Sequence, residues 1–186
     1  MKLAFAIFVM CINCNVFSQQ QKLKFASINT IGILHGDAGV FGNIQSVNGG
    51  VKNNWFAGIG LGVDWYKYKS VTATAEVKDY LLKEKNFGVN AGIGYNFPFN
   101  NKPDFTVIDT YYTPTFAGGL YTNVGIFYEF KLLKKYRGII NPGFNLKKMS
   151  LTTKDISPCL VPPCPETSSK YQYNFQTLSI KTGLIF

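Results

Sequence analysis

From Trp55 to Trp65 the chain alternates without a break. Trp55, Ala57, Ile59, Leu61, Val63 and Trp65 form one set, and Phe56, Gly58, Gly60, Gly62 and Asp64 the other. An extended strand sends such sets to opposite sides. One side is then wholly apolar and ends in an indole at each tip, while the other is mostly glycine with a carboxylate. Ten residues at about 3.3 Å each span roughly 33 Å. A strand tilt of about 40° lowers that to roughly 25 Å, the height of the apolar band of a membrane-spanning barrel. Tryptophan settles at both edges of such a band, ring in the apolar layer and N–H toward water. A strand of a soluble barrel with two core tryptophans requires neither that separation nor glycine on the opposite face.

The same period recurs along the chain. Phe87, Val89, Ala91, Ile93, Tyr95 and Phe97 alternate with Gly88, Asn90, Gly92, Gly94 and Asn96. Val71, Ala73, Ala75, Val77 and Leu81 alternate with Thr72, Thr74, Glu76, Lys78 and Tyr80, with Asp79 falling on the apolar face at a membrane edge. Phe116, Leu120, Val124, Ile126, Tyr128 and Phe130 are read as one face, interrupted by Gly118 and Thr122, against Gly119, Asn123, Gly125 and Glu129. Tyr136, Ile140, Phe144 and Leu146 oppose Arg137, Asn141, Asn145 and Lys147. Pro142 cannot donate a ladder bond, so a bulge or local defect is expected there. Leu178, Ile180, Leu184 and Phe186 oppose Thr177, Ser179, Lys181 and Gly183.

With two weaker segments at 22–34 and 40–47, the expected strands are 55–66, 71–82, 87–97, 116–131, 136–150 and 171–186. That makes eight, an even number that puts both ends on one side. The connections 48–54, 83–86 and 132–135 are short, and Asn48-Gly49 is a strong hairpin signal. The alternate connections include two long ones, 98–115 and 151–170. Short turns face the periplasm and long loops the outside. The expected fold is all-β, an eight-stranded antiparallel up-and-down transmembrane β-barrel in the outer membrane.

Residues 1–18 read as a signal peptide, with Lys2 before the apolar run from Leu3 to Ile12 and cleavage after Ser18. The barrel domain is then 19–186. Cys11 and Cys14 fall in the leader, after Met10 and Asn13, which are poor lipobox residues. Cys159 and Cys164 are expected to form a disulfide in an oxidising compartment, in the last outer loop. Metal ligation by this pair would need further His or Cys partners.

The stretch Asn53-Asn54-Trp55-Phe56-Ala57-Gly58-Ile59-Gly60-Leu61-Gly62-Val63-Asp64, with Gly94-Tyr95-Asn96-Phe97-Pro98 and Gly118-Gly119-Leu120-Tyr121, resembles the small outer-membrane β-barrel domain family common in Bacteroidota. In size it is similar to the eight-stranded OmpA/OmpX-type barrel. The resemblance covers the mature chain and implies an architecture, with little about activity. The terminal strand ending on Phe186 resembles the signal read by the barrel assembly machinery.

An eight-stranded barrel is just wide enough for its own side chains to fill it. The expected interior carries Asp64, Glu76, Lys78, Glu129, Arg137, Lys147 and Lys181, which should pair because isolated buried charges are costly. The expected interfacial aromatics are Trp55, Trp65, Tyr95, Phe97, Phe116, Tyr128, Phe130 and Phe186. The sole histidine, His35, has Asp37 near it and Ser27 further back. Some eight-stranded barrels modify lipid A with such residues, but no second motif supports catalysis here, and neither cofactor nor metal is expected. The formal net charge of +9 finds its counter-charges in lipopolysaccharide and lipid headgroup phosphates, and nucleic acid is not expected for an exported barrel. The leading expectation is a monomeric, non-enzymatic envelope protein, structural or surface-binding, with a plugged lumen. The alternatives are a lipid A-modifying enzyme, a small amphiphile carrier or channel on the same barrel, or a soluble lipocalin-like barrel. The last would need the apolar sets inside.

Overall fold

The computed structural model describes residues 23–82, 84–99, 115–132, 136–156 and 166–186. Within them the chain forms β1 (Lys24–Gly36), β2 (Gly39–Lys52), β3 (Trp55–Asp64), β4 (Ser70–Tyr80), β5 (Phe87–Pro98), β6 (Thr115–Ala117), β7 (Gly119–Lys131), β8 (Arg137–Ile156) and β9 (Glu166–Ile185). Segments β6 and β7 both pair with β8 and are two parts of one stave interrupted at Gly118. Every pairing is antiparallel between neighbours in the chain, and β9 closes on β1. The result is an eight-stave up-and-down barrel without a free edge along its wall. Reciprocal bonds between Ser27 and Phe186, at 3.2 and 3.0 Å, extend the closing seam to the last residue.

The register fixes the barrel's dimensions. Partners run Phe25, Gly50, Ala57, Val77, Ala91, Val124, Phe144, Leu178 and back to β1 at His35, a stagger of ten residues around the circuit. With about 3.3 Å rise and about 4.8 Å between strands, that shear tilts the staves by about 40° and sets a backbone radius of about 8 Å. A barrel of that radius has room for little beyond inward side chains. The alternating sets fall as the period requires: Ile59 on β3 is 75 % exposed and Phe25 on β1 is 74 %, whereas Asp64 and Lys147 are 2–3 % exposed.

Four sequence expectations need correction or refinement. Asn48-Gly49 is not a turn: both residues lie inside β2, paired with Ser27 and Ala26. The turn is Asn53-Asn54, with Asn53 at φ 56°, a conformation asparagine also tolerates. Glycine at position 49 instead permits close approach to β3, since a Cβ there would lie 2.5 Å from the Gly58 Cα. His35 lies in β1, past the expected strand end at residue 34, because β1 and β2 are joined by only Asp37 and Ala38. Pro142 leaves β7 and β8 without the rungs opposite Asn141 and Pro142, yet the pairing on either side keeps one register, so there is a ladder defect and no bulge. The bulge lies instead at Gly118. Phe116 pairs with Leu151 while Tyr121 pairs with Lys147, one residue out of step, and the extra residue flips the side-chain alternation. The Asn96 side-chain amide fastens this bulge, donating to the carbonyls of Gly119 and Lys148 at 2.8 Å each.

The last two staves are longer than the alternation suggests. β8 and β9 each run 20 residues and pair with each other throughout, so much of the expected last loop is a hairpin rising past the other staves. The signal peptide and the Cys159–Cys164 pair lie outside the described residues.

Candidate functional site

The inward side chains stack in layers along the barrel. At the end bearing the short turns, Ala26, Ile28, Val47, Phe56, Tyr80, Phe127, Ile139 and Ile185 form an apolar plug. Glycine makes room for it: a Cβ on Gly88 would meet the Phe127 ring at 2.6 Å, and one on Gly58 the Phe56 ring at 2.8 Å. The sequence already carried this signal, because Phe56 sits in the glycine-rich set and Phe127 shares its parity with Gly125 and Glu129.

The seven expected lumen charges lie along one path. Arg137, half-exposed at the turn-end mouth, pairs with buried Glu129 at 2.9 Å. The Tyr80 hydroxyl donates to the other Glu129 oxygen at 2.8 Å. Lys78 comes next, its ammonium 5.1 Å from the Phe127 ring centroid and 5.8 Å from that of Phe56, a desolvated cation–π arrangement. Glu76 follows, accepting from Gln45, from Asn123 at 3.3 Å and from Thr74 at 3.5 Å. Lys181 donates to the Gln45 carbonyl oxygen at 2.9 Å, so Gln45 bridges Lys181 and Glu76. Asp64 and Lys147 form the last pair at 3.4 Å. The signs therefore alternate from mouth to mouth: Arg137, Glu129, Lys78, Glu76, Lys181, Asp64, Lys147. Between Lys78 and Lys181 lies a cavity of about 20 Å³, room for about one water molecule. The Asn123 Oδ1 atom is buried without a protein partner and lines the same region.

At the loop end, Tyr66 and Tyr68 sit over the mouth of the barrel. After β3 the backbone turns inward through Tyr66. The Tyr66 N–H donates to Asp64 Oδ1 at 2.6 Å, and the Lys147 ammonium donates to the carbonyls of Tyr66 and Tyr68 at 3.2 and 2.8 Å. The Tyr66 ring is buried against Phe41 and Phe175, at 5.3 and 5.8 Å between centroids, and its hydroxyl accepts from the Ala38 N–H at 2.9 Å. Above it Tyr68 meets Phe116 at 5.0 Å, Tyr173 at 6.2 Å and Phe175 at 6.1 Å. Phe116 therefore does not stand on the lipid-facing side with Leu120 and Val124, because the Gly118 bulge turns it inward.

The other expected interfacial aromatics stand outside. Trp55, Tyr128, Phe130 and Phe186 ring the turn end, and Phe186 packs edge-on against Tyr136 at 5.3 Å. Trp65, Tyr95 and Phe97 mark the loop end, the latter two 4.9 Å apart. Between the two girdles the exterior is Ile31, Ile33, Ile59, Leu61, Ile93, Val124, Ile126, Leu178 and Ile180, all exposed. His35 and Ser27 lie eight residues apart on β1, at opposite ends of the strand, and do not converge. Among the described residues no cluster of three or more His, Cys, Asp and Glu side chains is placed to hold a metal ion.

A closed eight-stave antiparallel barrel, apolar outside between aromatic rings and charged inside, is an integral outer-membrane β-barrel. No protein-family model matches the chain, and no curated protein matches it. Among solved structures it is similar to the solid-state NMR structure of outer membrane protein AlkL in DMPC lipid bilayers, at 12% identity and a TM-score of 0.45, over 88% of this chain and 90% of that chain.

Proposed function

We propose that this is a non-enzymatic protein of the outer membrane, structural or surface-binding, whose lumen is closed by its own side chains. What supports the reading is the set of buried inward side chains: an apolar cluster at the turn end, a row of charges of alternating sign running past it from the turn-end mouth, and Tyr66 at the loop end. The raised β8–β9 hairpin then presents the working surface. Lipopolysaccharide and lipid headgroups supply the counter-charges for the basic chain, the closing β9 strand is what the barrel assembly machinery would engage, and the protein acts as a monomer.

The test is conductance across a planar bilayer after reconstitution of the purified protein. Absence of steps above the bare membrane is expected. Sustained conductance, or swelling of proteoliposomes in small sugars, would overturn the closed lumen and favour a carrier or channel.

A further inference from the structure

The outer wall carries a groove of about 870 Å³ that starts at Trp55 and Asp79 near the turn end. It climbs obliquely past Ala91 and Val124 to Pro142 and Ile180. A barrel wall is convex, so a groove there needs missing bulk. Two causes coincide along its floor. Ala91, on the outward set, is the smallest outward side chain along the groove, and the rungs opposite Asn141 and Pro142 in the β7–β8 ladder are absent. The groove is apolar except at its lower end. There Asp79, an outward carboxylate on an otherwise apolar face, is the direct cross-strand partner of Trp55. Lys85, outside the groove's lining, stands at the adjoining turn, its ammonium donating to the carbonyl of Asn53, two residues before Trp55. A carboxylate at the membrane edge calls for a cation, and a nearby ammonium with donors to spare calls for an anion.

We propose that this groove holds one amine-headed phospholipid of the turn-side leaflet. One acyl chain lies in the groove, the headgroup ammonium meets Asp79, and the phosphate meets Lys85. The site rests on the membrane-barrel reading and adds to it a selected lipid.

The experiment uses the full-length protein carrying Trp65→Phe, so that Trp55 is its only tryptophan, reconstituted in phosphatidylglycerol vesicles. A minor fraction of chain-brominated phosphatidylethanolamine is compared with the same fraction of chain-brominated phosphatidylglycerol. Quenching of Trp55 should favour the ethanolamine lipid roughly two- to fivefold, the range an exposed ion pair supports. Asp79→Asn should abolish that preference and leave the quenching by the glycerol lipid unchanged. Ala91→Phe, which fills the groove from the lipid side, should lower the ethanolamine quenching to the glycerol level. Equal quenching by the two lipids in the parent, or a preference that survives Asp79→Asn, would overturn the site. Failure of both brominated lipids to quench a heat-modifiable, folded protein would instead overturn the membrane reading beneath it.

Discussion

Replacing Lys147 by methionine tests whether the loop-end mouth is held as described. The Lys147 ammonium makes three interactions: an ion pair with Asp64 at 3.4 Å and donations to the carbonyls of Tyr66 and Tyr68. Both charged side chains are 2–3 % exposed, so water compensates neither. Methionine fills a similar volume, which leaves packing nearly constant and isolates the electrostatic loss. Breaking one partner out of a buried pair costs about 3–5 kcal/mol, because the other charge remains desolvated. Asp64 retains the Tyr66 N–H, which places the expected loss near the lower end, about 3 kcal/mol. Adding Asp64→Asn to Lys147→Met removes the stranded charge while its side-chain oxygen can still accept from Tyr66. The double variant should therefore be about 1–2 kcal/mol less stable than the parent, better than Lys147→Met alone. The assay is urea unfolding in lipid vesicles, followed by tryptophan fluorescence and by the unboiled band on gels, with parent, both single variants and the double variant in one cycle. Additive losses, with the double variant the least stable of the four, would refute the coupling of Asp64 to Lys147.

Four further outcomes follow from the same packing. Phe127→Ala should lose about 3–5 kcal/mol, since it empties the apolar plug and removes the nearer ring beneath Lys78; an unfolding midpoint equal to the parent's would contradict the plug. Gly88→Ala should be destabilised by about 1–3 kcal/mol, because its Cβ meets the Phe127 ring and the Asp79 carbonyl, and the double variant with Phe127→Leu should recover part of the loss. Pro142→Ala, which supplies a backbone donor beside the missing β7–β8 rungs, should raise stability by about 0.5–1.5 kcal/mol and slow amide exchange at Ile126 and Phe127; unchanged exchange would show that the defect has another cause. The parent should migrate differently on gels before and after boiling and resist carbonate extraction from outer membranes, whereas recovery as a soluble periplasmic protein would invert the inside and outside of every stave.

Legibility followed the distance over which each feature is encoded. Strand parity is local: the two sets from Trp55 to Trp65 need no partner strand to be recognised, and the assignment of the seven charged residues to the inward set rests on parity alone. Register is not local. Whether Asn48-Gly49 turns or continues depends on Ala26 and Ser27 across β1, and the stretch before Trp55 offers two asparagine-containing turn signals in competition. Phe116 was misplaced for the same reason. Its apolar neighbours two residues apart look continuous through Gly118, and only the slip of β6 against β8 relative to β7 reveals the extra residue. The rise of β8 and β9 past the barrel escaped notice because residues 151–156 and 166–174 mix polar groups on both faces, so no alternation marks them as strand.

Glycine links these two levels. On inward positions it reads in the sequence as an absence, a polar face with nothing on it, and suggests an empty channel. In the closed barrel several of these glycines instead stand against a large cross-strand partner: a Cβ on Gly92 would lie 2.9 Å from the Glu76 Cγ, and one on Gly32 would lie 2.8 Å from the Lys181 Cγ. A shear of ten on eight staves leaves a backbone radius of only about 8 Å, so a long side chain on one wall has to be matched by none on the facing or adjoining wall. On the proposed reading, the glycine-rich face makes room for the lysines, carboxylates and phenyl rings carried by neighbouring positions of the wall.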